Sequence, residues 1–335
     1  MKIRLILFIT LMVSLLNAQV SKTGTSAATF LKIPVGARAV AMGGSFVSVV
    51  DDASSLYWNP GGLAKIDKMG LIFNHMPWLG GINFNFLGIG IPLDQFGNIG
   101  LSVTSMTTEE MEVTTVDNQM GTGETFDAGS VAIGLTYARS LTDRFTIGAT
   151  FKIIYERIYN SVANGIALDI GTTYDTPLKG LRLGFSITNF GTKMHMTGED
   201  LNYRLDIAPN QNGNKTIVSQ IKTEEFDLPL IMRVGLSMDV WQDDFNRVII
   251  SVDGVNPSDN LQSVNTGLEW SLFKNAVFLR GGLNEMFLEN RERGFAVGGG
   301  INYSIDSSLD FQIGYAFQEF LHLPNVNSFT LNVLF

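Results

Sequence analysis

The chain has 335 residues, with 23 Lys and Arg against 32 Asp and Glu, and its net charge of −9 leaves no basic stripe to neutralise phosphates. Nucleic acid is therefore excluded as a partner. Only 16% of residues are charged, while Gly (35) and Phe (23) are generous and Cys is absent; soluble domains carry about 25% charge, and missing cysteines decide little in a chain this long.

Residues 1–18 read as an export signal. Lys2 and Arg4 form a positive head, Leu5 to Leu16 an apolar stretch, and Asn17-Ala18-Gln19 a cleavage site. The stretch is short for a spanning helix, and no later segment approaches eighteen continuous apolar residues. A helical membrane protein is excluded.

Residues 19–68 do not alternate cleanly and read as a compact plug or hatch segment. Glycines between Gly36 and Gly44 suggest close backbone packing, since no Gly-Lys-Ser/Thr follows them. Asp51-Asp52-Ala53-Ser54-Ser55-Leu56-Tyr57-Trp58-Asn59-Pro60-Gly61 comes next. Asp52 is placed to cap a short helix through Tyr57, and Asn59-Pro60-Gly61 ends it. A calcium site on the Asp51-Asp52 pair is the alternative reading.

From residue 69 to 335 the pattern changes to period two, with fourteen segments near 69–76, 82–92, 97–106, 128–140, 144–157, 164–175, 180–190, 228–241, 246–254, 262–272, 275–284, 292–304, 308–318 and 327–335. Val131, Ile133, Leu135 and Tyr137 share one face against Ala132, Gly134 and Thr136; Ile147, Ala149, Phe151, Ile153 and Tyr155 oppose Gly148, Thr150, Lys152 and Ile154. Such alternation marks strands whose two faces meet different surroundings. Repeated on an even count behind an export signal, it predicts an all-β fold: a transmembrane antiparallel barrel of the bacterial outer membrane, in contact with lipid. Short turns such as 94–96, 141–143, 177–179, 242–244, 273–274 and 306–307 fall on the periplasmic side, with longer outer links at 107–127 and 191–227. Met111 to Val116 could pair locally. Gly298-Gly299-Gly300 reads as a bend that lets the wall curve. A soluble sandwich or propeller is the rival. Against it, the non-apolar face is mostly Gly, Ala, Ser, Thr and Asn, and its few charges, among them Lys152, Asp169, Arg233, Asp253, Glu269 and Arg280, are expected to pair with one another in a crowded lumen.

Phe329, Leu331, Val333 and Phe335 close the chain on one apolar face, the pattern of a C-terminal assembly signal. Trp78, Leu79, Phe320 and Leu321 lie in outer links that are nevertheless apolar, so they are candidate partner-docking loops; insertion into the membrane interface is the alternative. His75, His195 and His322 never reach metal-ligand spacing, and no Gly-x-Ser-x-Gly elbow exists. A non-enzymatic protein without cofactor is expected.

The run from Phe30 through Leu63, above all Asp-Asp-Ala-Ser and Tyr-Trp-Asn-Pro, resembles the opening of the PorV/PorQ family within the FadL-like group of outer-membrane barrels. The motif residues are Asp51, Asp52, Trp58, Asn59, Pro60 and Gly61. The family more often carries Ala where Gly61 stands, and Gly there loosens the backbone. The resemblance implies a FadL-like fold and one of two roles. PorV-like members act in type IX secretion, binding the translocon and receiving cargo proteins; FadL-like channels take up hydrophobic small molecules through a hatch and a lateral wall opening.

Overall fold

The computed structural model describes residues 23–178, 180–208, 210, 216–305 and 309–335. The export signal at 1–18 and the turn at Asp306-Ser307 lie outside the described residues. The chain forms β1 (Gly70–Pro77), β2 (Asn83–Pro92), β3 (Asn98–Thr107), β4 (Ala128–Thr142), β5 (Phe145–Ile158), β6 (Ser161–Asp175) and β7 (Leu181–Gly191). After a long outer link come β8 (Ile231–Gln242), β9 (Arg247–Pro257), β10 (Ser263–Leu272), β11 (Val277–Met286), β12 (Arg293–Ser304), β13 (Asp310–Phe320) and β14 (Val326–Leu334). Each pairs antiparallel with the next. The ring closes where β1 meets β14, in register from Gly70↔Leu334 to His75↔Phe329.

This is the fourteen-stranded barrel that the period-two pattern predicts, with every strand within 3 residues of its expected bounds. Closure leaves no edge unpaired, which a wall surrounded by hydrocarbon requires. Side chains sort by face as expected. Ile133, Leu135, Phe151 and Ile153 point outward and are exposed, while Ala132, Thr136, Thr150 and Ile154 are buried inward. Exposed Phe96, Trp241, Phe245 and Phe273 ring the short-turn end and Tyr155, Phe190, Phe287 and Phe295 the other, the positions of aromatic girdles. The soluble rival fails here, because large apolar side chains cover the outside rather than pack a second sheet.

Two details depart from the sequence reading. The outer connection between β5 and β6 is only Tyr159-Asn160, so short turns occur on both sides; positive φ at Tyr159 (52°) makes that tight reversal. The outer link after β7 is not plain loop. It carries a separate hairpin, Asn202–Asp206 with Thr216–Gln220, and a short pairing of Thr197–Gly198 with Val162 and Ser161. In the 107–127 link the local pairing is Met111–Glu112 with Thr125–Phe126.

Candidate functional site

Inside the barrel runs the N-terminal segment. From Ile33 to Val50 every residue is buried except Arg38, and from Ala53 to Leu63 all are buried. Its start lies at the outer mouth, where Ala27 N donates to Asp227 O (3.0 Å) and Lys32 pairs with Asp259 (2.6 Å). Its end lies at the opposite rim, where Asn98 Nδ2 donates to the Leu63 and Ile66 carbonyls and Lys65 meets Asp175 at 2.9 Å.

The segment is built from two single-turn helices, α1 (Ala37–Ala41) and α2 (Ser55–Trp58). Three of the five residues of helix α1 are alanine, because it lies directly on the wall. A Cβ built at Gly298 would come within 2.7 Å of Ala41 Cβ, and one at Gly267 within 2.6 Å of Met42 O. Gly298 therefore serves close approach, both to Tyr315 O on the neighbouring strand β13 and to helix α1.

Helix α2 is capped by Ser54 rather than Asp52, and without a side-chain cap bond; Asp52 instead braces the turn before it, its Oδ1 accepting the N–H (2.8 Å) and hydroxyl of Ser54 and its O accepting Ser55 N at 3.0 Å. It ends at Asn59, which is fully buried and holds three contacts. Asn59 Oδ1 accepts Gly61 N (3.1 Å), and Nδ2 donates to Val47 O (2.8 Å) and Thr172 O (3.0 Å). Pro60 opens the following 3-10 turn, Pro60–Lys65. Gly61 is not a loose joint. A Cβ there would sit 2.8 Å from Gly171 O, so Gly serves close approach to β6. Trp58 Nε1 donates to Val35 O (2.8 Å), and Tyr57 donates to the Leu31 and Ile33 carbonyls.

Charges fasten segment to wall. Glu269 on β10 accepts a two-pronged contact from Arg38 (2.8 and 2.8 Å) and a third bond from Arg280 Nε on β11 (2.7 Å). Arg38 also reaches Asp51 and Asp52. Three carboxylates, those of Asp51, Asp52 and Glu269, surround one guanidinium. A guanidinium thus occupies the place where calcium was the alternative. On the neighbouring strand β9, Asp253 accepts the backbone N–H groups of Phe46 (2.7 Å) and Val47 (2.9 Å), and farther round the wall Lys152 pairs with Asp169 at 2.6 Å. Sequence reasoning placed these lumen charges on the right face but missed that Glu269 and Asp253 bind the plug. Only the bare alternation of polar residues on one face hinted at partners.

At the outer face, Trp78 and Phe320 meet edge-to-face at 5.7 Å, and Phe320 is buried. Trp78 and Leu79 pack against the interior cluster, which leaves Leu321 as the exposed member of the four proposed docking residues. More apolar surface lies elsewhere. An open groove of about 740 Å³ runs between the two long outer links, lined by Met111, Phe126, Ile158, Tyr159, Met196 and Leu201. Beside it the free hairpin exposes Tyr203, Leu205 and Ile217 on one face.

At the chain's end, Phe329 and Leu331 face outward, Val333 is buried, and Phe335 N donates to Met69 O (2.9 Å). Phe335 thus ties the closing seam at the short-turn rim. Deleting it is expected to lower the yield of heat-modifiable, folded protein in outer-membrane fractions; unchanged yield would overturn an assembly role.

Solved structures share this fold. The CymD monoaromatic hydrocarbon channel superposes with TM-score 0.56 at 14% identity, covering 90% of this chain and 97% of that one. The Pseudomonas putida toluene transporter TodX gives 0.54 at 14% identity (90% and 96%), and a Pseudomonas aeruginosa FadL homologue 0.51 at 12% (93% and 98%). No curated protein sequence matches the chain. A family model for the type IX secretion system protein PorV matches residues 16–256, more than half of the chain, and the protein belongs to that PorV family.

Proposed function

We propose that this protein is a non-enzymatic component of type IX secretion in the bacterial outer membrane, associated with the translocon and receiving cargo proteins at its outer face. One contrast carries the reading. The lumen is occupied along its length by the buried plug, whereas the outer face offers apolar surface without cover. The hairpin Asn202–Asp206/Thr216–Gln220 is not part of the barrel sheet. A lone two-stranded hairpin is marginal in water, and a partner strand laid on its edge would give it main-chain bonds and cover Tyr203, Leu205 and Ile217. The adjoining link supplies Glu109, Glu110, Glu112, Asp117, Glu124 and Asp127 with no Lys or Arg between them, so a cargo segment of mixed basic and apolar character fits best.

In a host that encodes the pathway, the protein should co-purify with the large translocon barrel, and its loss should strand cargo in the periplasm. Changing Leu205 and Ile217 together to Ser should weaken that association by about tenfold or more without altering heat-modifiability, because exposed outer hairpins carry little of the wall's stability. The uptake reading has its own support in a lipid-side groove of about 730 Å³ bounded by Leu279, Gly299, Ile301, Ile313 and Tyr315. A knockout that secretes normally but fails to take up a hydrophobic substrate would favour that reading instead.

A further inference from the structure

A second cavity, of about 120 Å³, lies at the outer mouth between plug and wall. Its lining includes Lys32, Trp58, Arg233, Asp259 and Arg293, with apolar walls from Ile231, Val255, Leu261 and Leu288. Two of its three cations are already paired: Lys32 with Asp259 at 2.6 Å, Arg293 with Glu285 at 3.3 Å. Arg233 is not. It is only 6% exposed, stacks over Trp58 at 5.2 Å and donates to Thr188 Oγ1 at 3.2 Å. Among the described residues, no carboxylate oxygen lies within 4.0 Å of it. Asp253 and Asp169 lie near enough to attract its charge but not to bond it, and a buried guanidinium with five N–H donors and no carboxylate in contact is a costly arrangement. The same cavity holds an unfilled acceptor, since Asp259 Oδ1 is buried without a hydrogen-bond partner.

We infer that this cavity binds an α-carboxylate carried by a small apolar residue, with the carboxylate on Arg233 and an adjacent N–H directed to Asp259. The two vacant polar groups call for opposite chemistry, an anion and a donor, and a bare halide or simple fatty acid meets only the first. The apolar walls suit a short aliphatic side chain. Size limits the rest: the volume equals about four shares of liquid water and falls well below the roughly 300 Å³ of a drug-sized site. A free apolar amino acid and the C-terminus of a polypeptide both present this chemistry. The inference does not rest on the secretion reading, because a free amino acid fills the cavity whether or not cargo docks outside.

The test is calorimetric titration of the full-length barrel in non-ionic detergent with three probes: L-valine, acetyl-Gly-Gly-Val acid, and the same peptide as its C-terminal amide. At least one acid probe should bind at millimolar concentration or tighter, and the amide at least about tenfold more weakly. Binding of valine alone identifies a free amino acid as the ligand; binding of the peptide acid identifies a chain terminus. Arg233→Gln should weaken the acid about tenfold or more, with Arg233→Lys retaining part of it. If the acid and amide bind alike, or neither acid binds, the inference is overturned, and this comparison uses only the unaltered protein.

Discussion

Replacing Glu269 by Ala is expected to destabilise the folded barrel by about 3–5 kcal/mol, the range for removing one partner of a buried charge cluster. Glu269 is 1% exposed and accepts from Arg38 and Arg280 together. Without it, the half-buried Arg38 and the buried Arg280 guanidinium groups face each other with their shared counter-ion gone. Arg280 is already short of partners, for its Nη2 is buried and unbonded. Because Arg38 belongs to the plug and Arg280 to the wall, the damage should show at the joint. Urea titration of the folded fraction should give the energy, and limited proteolysis should report a newly accessible plug. A change below about 1 kcal/mol would mean the cluster is not what holds plug to wall. Substituting Arg38 by Met and Glu269 by Leu in one chain should cost less than Glu269→Ala alone, since it removes charge in pairs.

Arg in place of Phe151 is expected to cost roughly 2–4 kcal/mol, the range for a charge on the lipid face near the bilayer midplane. Phe151 sits opposite Leu135 and Leu168 in the middle of the wall and is 47% exposed toward lipid. The opposite face gives no relief. Thr150 is fully buried, bonds Thr136 at 2.8 Å, and sits beside Gly134, where a Cβ would lie 2.7 Å from Ser102 Oγ. Arg at Thr150 therefore fails by overpacking, a different mechanism of similar size, about 1–3 kcal/mol or more. Arg at exposed Asn118, on an outer link, should stay within about 0.5 kcal/mol. Folding titrations into lipid vesicles would separate the three; equal values for Phe151→Arg and Asn118→Arg would mean that Phe151 does not face lipid.

The wall was legible because its cause is local. A strand between lipid and a packed lumen must alternate, and Val131 to Tyr137 state that alternation in seven residues. The short helix after Asp52 and its stop at Asn59-Pro60 were legible for the same reason. What joins plug to wall was not. Arg38 and Glu269 lie 231 positions apart, as Phe46 and Asp253 lie 207 apart, and nothing local to either residue names the other. The glycines misled in the same way. Gly298 and Gly61 look like points of freedom in the sequence, yet each exists because another backbone occupies the space a side chain would need. The outer loops show the limit from another side. Trp78 and Phe320 look available as apolar loop residues, but they satisfy each other.

The plug begins at the outer mouth beside Asp227, crosses the lumen, and leaves at the far rim straight into β1. The first strand then waits for the last, since His75 pairs with Phe329. In topological terms this is a hoop closed around its own thread. A finished hoop cannot be threaded without pulling the segment from Ser26 to Ile66 end-on through a lumen that its own side chains fill. Plug and seam are bonded to each other directly, since Ala37 N donates to Thr330 Oγ1 of the final strand at 2.7 Å. The thread is thus knotted to its hoop at the seam, so opening β1 from β14 and releasing the plug are expected to be one event rather than two.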